Sequence, residues 1–123
     1  MPDVRVLVVD DAAVVRDRIA ELLGDAGGLS VVGSARDGGE ALVLVRTLRP
    51  DVVLLDLHLP DLSGFAVLKE LRRDHPDLPV VVFTTDPSPF HRDRCFALGA
   101  DAFLDKSQDI DRVADVTRAL GAR

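Results

Sequence analysis

The chain is short of several features that would place it quickly. It has one cysteine, Cys95, which excludes a disulfide framework and fits a reducing compartment. Aromatic residues make up 4% of the chain, and all five are phenylalanine. Positive charge is outnumbered. Fifteen Lys and Arg against 21 Asp and Glu leave a net charge of −6, which argues against a nucleic-acid binder that works through a basic face. Apolar runs are short as well. The longest, Ala41 to Val45, falls far below the roughly 20 residues needed to cross a bilayer. The first residues lack the basic, apolar and small-residue succession of a signal peptide, so a cytoplasmic protein without membrane contact is expected. No GxGxxG or Walker sequence follows a strand-like segment, which leaves nucleotide binding without support.

What the 123 residues do contain is a regular alternation. Short, continuous, β-branched runs occur at Val4–Val9, Leu29–Gly33, Val52–Leu55, Val80–Phe83 and Ala102–Leu104. Runs of this kind suit strands buried on both faces of a parallel sheet. Between them lie stripes with helical spacing: Val15, Ile19, Leu22 and Leu23; Leu42, Val45 and Leu48; Val67, Leu68 and Leu71; Phe96 with Leu98; Ile110, Val113, Ala114 and Thr117. Asp37-Gly38-Gly39-Glu40 has the form of a capping box. Pro50 closes the second helix, Ser63 can cap the third, and Ser88-Pro89 opens the fourth. The pattern is β-α five times with short connections and no linker. It predicts one α/β domain over residues 1–123, a flavodoxin-like (βα)5 three-layer sandwich with a parallel sheet in the order 2-1-3-4-5. In such sheets functional groups collect outside the carboxyl ends of the strands.

The residues at those ends are chemically distinctive. Asp10 and Asp11 follow the first run, Asp56 the third, Thr84 and Thr85 the fourth, and Asp105 and Lys106 the fifth. A parallel sheet brings them to one rim. Clustered carboxylates need a counter-charge to stay ionised together. An oxygen-only donor set suits Mg²⁺ better than zinc; Cys95 is alone, and no two of the three histidines stand at i, i+4. A carboxylate nucleophile, a divalent metal, a lysine point charge and a hydroxyl together suit in-line phosphoryl transfer to an aspartate.

With these residues in order the chain resembles the receiver domains of two-component response regulators over essentially its whole length. The resemblance rests on Asp10-Asp11, on Asp56 with Pro60 and Gly64 at intervals of four, on Thr84, on Phe103 and on Lys106 within Phe-Leu-Asp-Lys-Ser. It implies that Asp56 is the phosphoacceptor and that Asp10, Asp11, Asp56 and the backbone carbonyl of His58 hold Mg²⁺. Lys106 and Thr84 would contact the phosphoryl group. Phe103 would be the switch aromatic, where many relatives carry tyrosine. The implied partners are a sensor histidine kinase or histidine phosphotransfer protein and a downstream protein target, with a phosphorylation-dependent homodimer as a further expectation. The domain would be a signalling module that catalyses only its own phosphorylation and dephosphorylation.

Simpler roles stand beside these. Asp10-Asp11 could cap the first helix, Thr84 could be an ordinary strand residue, and Phe103 could be static core. His75 and His91 are expected in solvent, and the remaining phenylalanines in packing. His58 and Asp86 are expected at the mouth of the site, where they could gate water. Since only Leu120-Gly121-Ala122-Arg123 follow the last stripe, a stand-alone receiver is expected. The alternatives are the amino-terminal receiver of a longer DNA-binding regulator and a small Mg²⁺ phosphatase with an aspartyl-phosphate intermediate. Haloacid-dehalogenase-like phosphatases need a second acid where this chain has His58, which weighs against the latter.

Overall fold

A computed structural model describes residues 2–123. Its elements are β1 (Val4–Val9), α1 (Ala13–Ala26), β2 (Leu29–Ala35), α2 (Gly38–Leu48), β3 (Val52–Leu55), α3 (Gly64–Asp74), β4 (Val80–Thr84), α4 (Pro89–Ala97), β5 (Ala102–Asp105) and α5 (Val113–Gly121), the last entered by a single 3₁₀ turn. The strands form one parallel sheet in the order β2-β1-β3-β4-β5, as the sequence pattern predicts.

Alternation along each strand divides the core in two. Leu7, Val9, Val53, Leu55, Val80 and Val82 face Ala41 and Val45 of α2, Val67, Leu68 and Leu71 of α3, and Cys95 of α4. Val6, Val8, Val52, Leu54, Val81 and Phe83 face Ile19 and Leu23 of α1 and Val113 of α5. Each fully buried Val or Leu contributes about 1.5–3 kcal/mol, so the central strands anchor both layers.

Three strands run past their apolar runs, and each extension bears on the site. β2 carries one extra residue between the partners of Val6 and Leu7, a bulge that lets Ala35 pair with Val9. β4 and β5 continue until Thr84 pairs with Asp105. All five carboxyl ends thus reach one rim.

The opposite end of the sheet is held by arginines. Arg5 donates to Leu48 O at 2.7 Å and to Arg49 O at 2.6 Å, where α2 ends. Arg49 closes α2 in the left-handed region at φ 49°, its amide donating to Val45 O at 3.0 Å. Arg118 donates to Ala26 O at 3.1 Å and Gly27 O at 2.7 Å, at the end of α1. Arg72 of α3 reaches Pro76 O, Leu78 O and Gly99 O at 2.7, 3.0 and 2.7 Å. Cations suit the negative carboxyl ends of helices.

Candidate functional site

Backbone register positions the acids. Asp10 N donates to Ala35 O and Asp56 N to Val9 O, both at 3.0 Å, so the two residues leave adjacent strands side by side. Both side chains are nearly enclosed, Asp10 at 2% and Asp56 at 6% exposure, whereas Asp11 faces solvent. Carboxylate oxygens of Asp10, Asp11 and Asp56 lie within 4.8 Å of one another. Neither Asp10 nor Asp11 is the N-cap of α1. That residue is Ala12, whose own amide donates to Asp10 Oδ1 at 3.0 Å.

Lys106 is the cation of this nest. Its ammonium hydrogen-bonds to Asp10 Oδ2 and lies 3.4 Å from Asp56 Oδ2. Its backbone is fixed by Lys106 N donating to Thr84 O at 2.8 Å. The following turn is tied by Ser107 N and Oγ donating to Asp105 Oδ1 at 2.9 and 2.8 Å, bonds that hold the Asp105 carboxyl below the usual range. Burial pushes the Asp56 carboxyl up. Lys106 opposes that rise, and the charge of Asp10 adds to it.

Three carboxylates against one ammonium leave excess negative charge in a largely dehydrated place. The donors are hard oxygens, and their mutual reach lets them face a single ion. The residues therefore fit a divalent cation of the Mg²⁺ class.

The loop after Asp56 folds back tightly. Gly64 N donates to Leu57 O at 2.8 Å, and a Cβ on Gly64 would come within 2.6 Å of Asp56 O, so only glycine fits. His58 N approaches Asp56 Oδ1 at 3.4 Å, which turns the amide of this residue to the acceptor. The His58 ring points elsewhere, with Nε2 3.6 Å from Asp86 Oδ2. Thr84 is fully buried at the end of β4, and its Oγ1 accepts from Asp86 N at 3.1 Å. Thr85 is exposed and lies on the side of Val14, Phe83 and Lys106. Phe103 is buried in the core shared with Val82 and Cys95.

Two expectations about side chains change. His91 is not simply in solvent. Its ring stacks on Phe65 at 5.5 Å, and its Nδ1 lies 2.5 Å from Ser88 Oγ and 3.8 Å from Asp86 Oδ1. Phe90 and Phe96 are not core but 73% and 40% exposed on α4. Sequence reasoning also passed over Arg16, whose Nη1 donates to Asp10 O at 2.6 Å, and Asp61, described below. An arginine one helical turn into α1 carries no distinguishing signal in a chain rich in them.

The domain is a doubly wound five-stranded α/β fold with an acidic nest and a lysine at its carboxyl rim, able to take a divalent cation. Residues 6–118 match the response regulator receiver domain, and the chain belongs to that family. It is 39% identical over 122 residues to the response regulator GacA of Pseudomonas protegens, covering 97% of this chain and 56% of that protein. It is 33% identical over 120 residues to a protein-glutamate methylesterase/protein-glutamine glutaminase of Anaeromyxobacter dehalogenans, covering 98% of this chain and 35% of that protein. The chain thus spans about half the length of GacA and less of the methylesterase. Among solved structures, a LuxR-family response regulator from Aurantimonas superposes with a TM-score of 0.92 at 30% identity, over 98% of this chain and 86% of the other. The response regulator domain of Thermotoga maritima CheB superposes with a TM-score of 0.89 at 27% identity, over 98% of each chain. Among the described residues, no helix is long and apolar enough to cross a membrane.

Proposed function

We propose that residues 1–123 form one receiver domain that takes a phosphoryl group onto Asp56 from a phosphohistidine of a partner kinase or phosphotransfer protein, in the cytoplasm. The observation that carries this reading is the nest itself: Asp10, Asp11 and Asp56 within ligand reach of one another, with the Lys106 ammonium beside both Asp10 and Asp56. Asp10, Asp11, Asp56 and the His58 carbonyl would hold Mg²⁺, which supplies charge neutralisation for the incoming phosphoryl oxygens. An Asp56 carboxylate oxygen attacks phosphorus in line with the P–N bond. That bond breaks, its electron pair stays on the imidazole nitrogen, and an acyl phosphate forms. Lys106 steadies a phosphoryl oxygen, and the Thr84 hydroxyl turns from the Asp86 amide to donate to another. In hydrolysis, water attacks phosphorus, the P–O bond to Asp56 breaks, and the carboxylate is regenerated with release of inorganic phosphate.

The turn of Thr84 would draw Phe103 and bias a two-state equilibrium of the β4–α4–β5–α5 surface, which meets a downstream protein or a second phosphorylated copy. A second reading, the receiver segment of a longer regulator, is favoured by the length of the matched relatives. The test is mass spectrometry after incubation with acetyl phosphate and Mg²⁺. A gain of ~80 Da, one phosphoryl group, is expected for the chain and not for Asp56→Asn. An undiminished adduct in Asp56→Asn would refute the assignment.

A further inference from the structure

The first turn of α2 donates to two carboxylates, one adjacent in the chain and one more than twenty positions away. Asp37, the N-cap residue, accepts from Glu40 N through Oδ1 at 2.8 Å. Asp61, from the loop after Asp56, spans the two amides before it. Its Oδ1 accepts from Gly38 N at 2.7 Å and its Oδ2 from Gly39 N at 2.9 Å. Oδ1 also accepts from Leu62 N at 2.7 Å. These bonds hold the Asp61 carboxyl below its usual range. The glycines make the approach possible. A Cβ on Gly38 would come within 2.9 Å of Leu62 Cβ and 2.8 Å of Val67 Cγ2, and a Cβ on Gly39 within 3.2 Å of Asp61 Oδ2.

Asp37 already caps α2, so Asp61 adds something other than a cap. It adds a tether between the amino end of α2 and the middle of an irregular loop. That loop is closed at its far end by Gly64 N donating to Leu57 O at 2.8 Å. His58 lies between the two ties. Irregular segments are the most mobile part of a fold, and Mg²⁺ demands near-ideal octahedral placement of each ligand. A carbonyl ligand on an untied loop would meet that demand only part of the time. A carboxylate accepting from two amides at a positive helix end is charge-assisted and fixes direction as well as distance.

We infer that Asp61 is a positioning residue for the phosphoacceptor site: its carboxylate clamps the loop after Asp56 onto the first turn of α2 and so fixes the His58 carbonyl toward the metal. The inference rests on the proposed role of that carbonyl. It assigns to the Gly38-Gly39 pair the part of receiving surface for the clamp.

The test compares Asp61→Ala, Asp61→Asn and Asp37→Ala in the 123-residue chain. Mg²⁺ affinity is measured by calorimetry, exchange of the Gly38 and Gly39 amides by NMR, and melting by circular dichroism. Groups that orient metal ligands are typically worth 10-fold or more in affinity, so Asp61→Ala should raise the Mg²⁺ Kd about tenfold and speed exchange at both glycines. Asp61→Asn keeps one acceptor oxygen and should fall between Asp61→Ala and the parent chain. Asp37→Ala should lower the melting temperature while leaving the Kd within about twofold, because it removes a cap and not the tether. An Asp61→Ala Kd within about twofold of the parent, or an equal loss in Asp37→Ala, overturns the clamp. Should Asp61→Ala fail to fold, an unchanged Kd in Asp61→Asn overturns it as well. A parent chain that neither binds Mg²⁺ nor gains the adduct would remove the site reading beneath it, whereas a normal adduct on Asp56 with unchanged Mg²⁺ affinity in Asp61→Ala removes the clamp alone.

Discussion

Asp56 must be buried enough to exclude bulk water and ionised enough to attack phosphorus. The two demands conflict, and burial sets its pKa above the ordinary 3.8. A carboxyl whose pKa is raised on folding costs stability above its folded pKa, and the cost vanishes as pH falls below the unfolded value. With Mg²⁺ chelated, Asp56→Asn should therefore melt higher than the parent chain at pH 7, and the gap should close below pH 3.8; calorimetric scans at several pH values check this. Asp11 is exposed and outside the Lys106 pair, so Asp11→Ala should weaken Mg²⁺ binding without lowering the melting temperature. His58, two residues after the acceptor, has its ring 3.6 Å from the Asp86 carboxylate. If they gate the attacking water, His58→Asn or Asp86→Ala should change the loss of ³²P from the phosphorylated chain by more than about threefold, or ~0.7 kcal/mol of barrier. Smaller effects in both variants would assign the pair to the surface. The reach of Asp86 to His91 was not legible in the sequence, because it depends on where α4 is set down after the turn and not on any spacing.

At the scale of elements, legibility followed locality. Ser63 and Ser88 accept from Ala66 N and His91 N at 3.1 and 3.2 Å, as their positions before helical stripes predict. A cap depends on four consecutive residues, so the sequence contains all of it. Ser63→Ala should cost about 1 kcal/mol in urea unfolding, with the Asp56 site left intact. The capping box at Asp37 is half realised. Asp37 caps Glu40 N, but the Glu40 carboxylate accepts from Arg36 N at 3.3 Å and not from Asp37 N. The bulge that extends β2 to Ala35 was hidden for a related reason. It is set by pairing with β1, and no residue within β2 announces it. Likewise Pro50 marks the end of α2, but the Arg5 side chain that grips the last carbonyls there comes from more than forty positions away in the chain.

For the whole molecule, the net charge of −6 and the acidic rim should keep the chain from binding duplex DNA. Fluorescence anisotropy with a labelled duplex at low salt checks this, and salt-sensitive binding at micromolar protein would contradict it. Cys95 is fully buried on the inner face of α4, and burial pushes its thiol up to about 11. Its reaction with a disulfide reagent should be limited by opening of that helix and should accelerate with urea. The order of strands and the rim acids were readable because a parallel sheet converts sequence order into spatial order. The contacts across the rim were not, since each joins side chains from different loops. One asymmetry of this architecture bears on motion. Arg5, Arg72 and Arg118 tie helix ends to loops at one end of the strands, while like charges crowd the other. The base is neutralised where it is tied, whereas the rim is tied through groups that still repel one another. A change of charge at the rim should therefore alter the loops there more than the arginine-tied base.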